Sequence, residues 1–151
     1  MIATCFAFIV YHKSLHIGFL LDDFYHIDYL ARAFDGDNSE LIKVLFGSMS
    51  GPTGLNSFRP LTSLGLLLDF IVWNTNPFGY HLTNIILFAG CCVCIAVLVT
   101  QLYFDQKYVK YLAAMLASIL FAAYPIHPES VAWIIGRVDS QCTFFFLLSL
   151  I

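Results

Sequence analysis

The sequence predicts an all-α, polytopic helical membrane protein, and two observations predict it. Apolar residues make up 60% of the chain and charged ones only 11%, with a mean hydropathy of +0.80, whereas a soluble globule is roughly 25% charged. Between Asp69 and Asp105 there is no Asp, Glu, Lys or Arg, an interval long enough for a helix of about 20 residues to cross a bilayer. The net charge of −3 and the absence of a basic run argue against nucleic acid, whose phosphates demand clustered Lys and Arg. Cys5, Cys91, Cys92, Cys94 and Cys142 all sit in apolar runs, and no C-x-x-C pair has a second pair or a His partner. They read as small hydrophobes, not as a zinc site or a disulfide framework.

Taken in order, residues 1–12 read as the end of a spanning helix. Ten mostly apolar residues precede Tyr11-His12-Lys13, half of the ~20 a span needs, and the basic start and cleavage pattern of a signal peptide are missing. The chain also stops inside an apolar run at residues 144–151, so it reads as an N-terminal fragment of a longer protein. Residues 22–57 form a large polar loop, Gly-rich from Gly47 to Ser57. Residues 58–73 would rise only about 24 Å as a helix and carry Asp69, which predicts an interfacial or re-entrant helix. A span over 82–104 follows, with Asn76-Pro77 at its entrance because Pro suits a first helical turn. After a connector at 105–110 come a span over 111–126, stopped by Pro125 and Pro128, and the start of another at 140–151. Tyr80, Tyr103, Tyr108, Tyr111, Tyr124 and Trp133 fall near the expected ends, as aromatic belts do.

If 58–73 does not cross, the polar clusters around Asp22-Asp23 and His127-Pro128-Glu129 share one face of the membrane. Charge points the same way. The connector has two lysines and one acid, suiting a cytoplasmic loop, while residues 22–40 hold six acids and the single base Arg32.

These clusters hold the candidate chemistry. Where a helix leaves the bilayer, a half-desolvated carboxylate becomes more basic, so Asp22 or Asp23 could take a proton from a hydroxyl or hold a divalent cation; the plain alternative is that the two acids mark the water boundary. Pro128 is expected to open a short helix running through Trp133 to Gly136. That helix would put Glu129, Trp133 and Arg137 on one stripe at i, i+4 and i+8. Arg137 could then clamp a phosphate through its planar fork, and His127 could donate to phosphate or sugar. The plain alternatives are a snorkelling Arg, a helix-capping Glu and a hydrogen-bonded loop His. Arg59 stands at the interface as a second cation, and His81 needs a partner or a watery cavity if it lies within a span. Asn84 suits gluing helices together.

With these residues in place, the chain resembles the GT-C class of multispan glycosyltransferases, in particular the bacterial and eukaryotic membrane proteins that join such a core to tetratricopeptide repeats. Four segments carry the resemblance in order: Ser14-Leu15 to Asp23, Phe58-Arg59-Pro60-Leu61-Thr62, Asn76-Pro77-Phe78-Gly79-Tyr80-His81-Leu82-Thr83-Asn84, and Pro125-Ile126-His127-Pro128-Glu129 to Asp139. Lys13 departs from it, standing where such chains often have an uncharged polar residue, and no repeat domain follows.

The resemblance implies a partial GT-C-like transmembrane bundle with a large external first loop. It also implies a polyprenyl or dolichyl phosphate sugar as donor, the mannose form being typical, and an inverting transfer to a hydroxyl of a protein or glycan on the external or lumenal face. An acid in the first external loop is the expected catalytic carboxylate, Asp23 being favoured over Asp22. Arg137, His127, Glu129, Arg59 and His81 are the expected donor-binding residues. No cofactor is required, although Asp22 and Asp23 leave room for a divalent cation. The parent protein is expected to be an enzyme of the bacterial inner membrane, or alternatively of the endoplasmic reticulum, with this fragment inactive by itself. The rival expectation is a non-enzymatic membrane scaffold or a transporter fragment.

Overall fold

A computed structural model describes residues 2–36, 38–47, 57–102 and 106–151; most of the Gly-rich stretch and residues 103–105 of the connector lie outside the described residues. All regular structure within them is helical. In order come α1 (Ile2–Tyr11), a 3-10 turn (His12–His16), α2 (Asp23–Asp35), α3 (Asn38–Phe46), α4 (Pro60–Trp73), α5 (Pro77–Gln101), α6 (Lys107–Ala123), α7 (Pro128–Ala132) and α8 (Arg137–Ser149).

The organising element is α5, against which α1, α4, α6, α7 and α8 all pack. Its 25 residues make it the one helix among the described residues long and apolar enough to cross a membrane. It begins five residues before the expected span because its cap is local: the Asn76 side chain accepts from the Phe78 N–H at 3.1 Å, and Pro77 fills the first turn. The tight turn from α4 into α5 puts Asn74 at a positive φ of 52°, fixed by its N–H bond to Phe70 O and by the Tyr80 hydroxyl on its carbonyl at 2.7 Å. Gly79 must be Gly here, since a Cβ would overlap the Trp73 indole.

Side-chain pairs fix the helix directions. Tyr11 meets Phe88 edge-on, Phe121 stacks on Phe88, and Ser118 Oγ donates to Cys92 O at 3.0 Å, so α1 and α6 run antiparallel to α5. By contrast α8 runs alongside α5 in the same sense, with Ser140 near Cys91, Phe144 on Gly90 and Ile151 beside Gln101. The C-terminal ends of α1 and α6 therefore gather with the N-terminal ends of α5 and α8. This is the polar end.

Two apolar clusters fill the interior. Ala7, Tyr11, Ile85, Phe88, Cys92, Ala122 and Val131 join α1, α5, α6 and α7. At the polar end, Ile27, Leu30 and Ala33 of α2 and Val44 of α3 close over Leu66, Leu67 and Phe70 of α4, with Tyr80, Ile134 and Ile135 beneath. The expected external loop thus contains two helices that fold back on α4. Outward faces stay apolar: Leu112, Leu116 and Leu120 on α6 and Leu61, Leu64, Leu68 and Ile71 on α4 are exposed, a surface that lipid or further helices would cover.

One expectation fails. The helix foreseen from Pro128 through Gly136 ends at Ala132, and Trp133 turns extended at φ −90°, ψ 124°. The reason is long-range: Asn84 Nδ2 lies within 3.1–3.4 Å of the carbonyls of Val131, Trp133 and Ile134 and draws them away from helical partners. Asn84 is the glue its position suggested. Glu129, Trp133 and Arg137 consequently share no stripe, and Glu129 ends exposed while Arg137 is buried.

The polar-end geometry is testable by labelling. With Cys5 and Cys142 replaced by Ser, cysteines introduced at Asp28 and Glu129 should react from the same compartment of sealed vesicles, and one at Lys107 from the other. Labelling of Asp28 and Glu129 positions from opposite sides would contradict the helix directions.

Candidate functional site

The two polar clusters meet through Asp23. It starts α2 with no exposed surface; its Oδ2 accepts from the Leu20 N–H at 2.9 Å and its Oδ1 from the Ile135 N–H at 3.1 Å. Neither donor belongs to the first turn of α2: one N–H comes from the segment before it and the other from the turn before α8. Burial raises the Asp23 carboxyl above the ordinary range; its backbone donors oppose this and the neighbouring Asp22 charge adds to it.

Asp22 is half-buried, and its Oδ1 has no hydrogen-bond partner. One helical turn on, at i+4, His26 is buried and held neutral chiefly by desolvation, with the Asp22 charge pulling its pKa up and the Arg59 charge pushing it down. Asp22, His26 and Arg59 therefore form one electrostatic neighbourhood. Arg59 itself is exposed and has no ion-pair partner among the described residues. It precedes α4 at the mouth of an apolar groove of about 300 Å³ between α4 and α8, lined by Phe58, Leu61, Val138, Cys142 and Phe145.

Arg137 is placed differently from a surface phosphate clamp. It has no exposed surface, and its guanidinium pairs with Asp69 Oδ2 at 2.7 Å while donating to Tyr80 O and Ile134 O at 3.2 and 3.3 Å. Asp69 also accepts from Thr83 Oγ1 at 2.7 Å. Asp69 was read from the sequence only as a reason against a span. Thr62, Leu66 and Asp69, at i, i+4 and i+7, are all buried, so helical periodicity already marks Asp69 as inward. His26 carries a comparable signal in its i, i+4 spacing from Asp22.

His81 is fully buried, its ring against the backbone of Ile17 and Gly18. His127 is half-buried among Phe88, Phe121 and Tyr124, with ring centroids 4.9, 4.4 and 6.2 Å away, and burial lowers its pKa. It lines a small cavity of about 60 Å³ together with Ser130, Asp139, Ser140 and Thr143. Glu129 is exposed at the same end. Among the described residues no three His, Cys, Asp or Glu side chains gather as a metal-binding group. Each Asp23 oxygen already accepts an N–H group, whereas Asp22 Oδ1, itself buried, accepts none.

This arrangement provides a carboxylate with a free oxygen, an unpaired cation and an apolar groove at one end of a helical bundle. The chain is 34% identical over 143 residues to protein O-mannosyl-transferase TMTC3 of Homo sapiens, covering 91% of this chain and 15% of that protein. Its homologues are protein O-mannosyl-transferases. Human TMTC4 is 32% identical over 93% of this chain, and mouse TMTC2 is 38% identical over 63% of it. The chain spans only 11–18% of the length of these relatives. No family model matches the chain, and no solved structure matches it. The named relatives are mammalian, so the expectation of a bacterial inner membrane finds no support in them.

His26 gives a pH test whose sign follows from its burial. Its folded pKa lies below the unfolded value of about 6.5, so its contribution is fully present above that value and lost as pH falls through the folded one. Asp23, raised, works in the opposite sense: its contribution is full below about 3.9 and lost as pH rises through its folded value. Comparing thermal unfolding of wild type and His26→Gln in detergent isolates the histidine. The stability gap between them should change between pH 7 and pH 5, with wild type losing more on acidification; parallel curves would show that His26 does not titrate with folding.

Proposed function

We propose that this chain is part of a multi-pass, GT-C-like mannosyltransferase of the endoplasmic reticulum membrane. In this reading it transfers a mannosyl group from a dolichyl or polyprenyl phosphate to a protein hydroxyl on the lumenal face. The names of the homologues support a transferase of mannose to protein. The observation that supports the reading in this chain is the Asp23–Ile135 contact, which joins the start of α2 to the turn between α7 and α8, together with the apolar groove that Arg59 lines. An isoprenoid chain belongs in such a groove, with its phosphate at the aqueous mouth where Arg59 stands.

The residues then divide the work differently from the sequence expectation. Asp23, held by two N–H groups, anchors the site, and Asp22, with an unpaired oxygen, is the general base. As the acceptor hydroxyl oxygen bonds to the anomeric carbon, its proton passes to Asp22 and the bond from that carbon to the phosphate oxygen breaks with its electron pair. The product is inverted and the lipid phosphate leaves. Arg59 stabilises the charge that grows on the leaving oxygen. Arg137, spent on Asp69, supports the site from within, as does the buried His81. His127 and Glu129 stand on the α7 side of the same end, within the region available to the sugar hydroxyls.

In the full-length protein, reconstituted with a dolichyl phosphate mannose donor and an acceptor peptide, Asp22→Asn should lower turnover by at least about 10²-fold with unchanged membrane insertion. Arg59→Ala should raise the donor KM about tenfold, the worth of a lost charge-assisted contact. Undiminished turnover in Asp22→Asn would remove the base, and absence of transfer by the wild-type protein would leave the scaffold or transporter reading.

A further inference from the structure

We infer that Asp69, a carboxylate on an otherwise apolar helix, is a positioning residue for the transfer reaction, acting through Arg137 and Asp23 to set the place of Asp22. The inference rests on the reading of Asp22 as the base. A chain of contacts carries it. Asp69 Oδ2 holds Arg137 Nη1 at 2.7 Å, and Thr83 Oγ1 fixes the other carboxylate oxygen at 2.7 Å. The same guanidinium donates to Tyr80 O on α5 and to Ile134 O, so it pins the turn that leads into α8. The next residue, Ile135, gives its N–H to Asp23 Oδ1, while Asp23 Oδ2 takes the Leu20 N–H. Leu20 and Asp23 bracket Leu21-Asp22, and Leu21 stands at a φ of 47°, a conformation that a bulky residue keeps only where its surroundings impose it. The backbone that carries Asp22 is thus located by a network spanning α2, α4, α5 and α8.

A buried ion pair is a costly way to hold two helices together. Apolar residues of similar volume often serve stability as well or better, whereas removal of one partner leaves an unpaired buried charge. What the pair adds here is direction. Arg137 has a planar fork that satisfies Asp69 and two carbonyls at once, and no aliphatic side chain could set the Ile134–Ile135 peptide in the same orientation.

The test uses the full-length protein, with turnover counted per donor-binding molecule. Asp69→Asn should lower kcat about 10- to 100-fold, the loss expected when a reacting group is displaced by a fraction of an ångström to an ångström, and the donor KM should stay within about twofold. The double variant Asp69→Leu/Arg137→Met removes both charges together and so leaves no unpaired ion. It should fold and bind donor, yet show the same loss of kcat and faster amide exchange at Ile135. Asp69→Glu, which can still pair, should recover part of the turnover. Wild-type kcat in the folded double variant, or unaltered Ile135 exchange, would overturn the positioning role even where Asp22→Asn is inactive. Full activity of Asp22→Asn would instead overturn the base assignment beneath it.

Discussion

The polar end of the molecule depends on one buried carboxylate, Asp23, whose two oxygens are shared between a segment before α2 and a turn before α8. Its partners Leu20 and Ile135 are not neighbours: the Asp23–Ile135 bond closes a separation of 112 residues. A carboxylate with no exposed surface is tolerable only where N–H donors replace its hydration, and an N–H left unmet in the interior costs about 1–3 kcal/mol. The contact is therefore costly to break from either side. It fixes the exit of the first helical segment against the start of α8, and Asp22 and Arg59 take their places from it.

That contact is possible because α5 supplies a rigid floor for both sides. Asn84 collects the carbonyls that α7 releases, Tyr80 offers its own carbonyl to Arg137 and its hydroxyl to the α4–α5 turn, and Gly79 lets Trp73 lie directly on the helix. Small residues serve the same end at Gly136, where a Cβ would collide with the Glu129 carbonyl. Polar groups buried this far in an apolar bundle are costly where they find no partner, and some here, Asn84 Oδ1 and Trp133 Nε1 included, have none among the described residues. Here most partners are backbone carbonyls of turns, so the network fixes irregular segments that no helical hydrogen bonding could hold.

How much of this could be read from the sequence follows from the range of the interactions. The α5 entrance was legible because Asn76-Pro77 is a local cap, and the shared end of the two polar clusters was legible from the number and length of the apolar runs. The early end of α7 was not: Pro128 and Glu129 are good helix starters, and only Asn84, distant in sequence, takes the carbonyls that would have continued it. Arg137 was misjudged for the same reason. An Arg at the end of an apolar run looks like a phosphate clamp until a buried acid is known to face it, and the acid sits on a different helix. The helical phase of Asp69 with Thr62 and Leu66 held that information, but its partner could not be named from phase alone. The two helices within residues 22–57 were hidden by composition, since α2 is amphipathic and its acids Asp28 and Asp35 face water as a loop's would.

The division of labour between Asp22 and Asp23 follows from hydrogen-bond capacity. Asp23 turns inward to the backbone, while the adjacent Asp22 keeps one buried oxygen without a partner. Burial leaves Asp23 more basic than an ordinary carboxylate, but proton transfer to it would weaken the two N–H bonds that hold the site together. A neighbour with an unpartnered oxygen carries no such penalty. Its charge also raises the buried Asp23 carboxyl and opposes the desolvation that keeps His26 neutral. An acid pair with one bonded and one unpartnered member can thus keep a base at the site without surrendering the bond between the two halves of the chain.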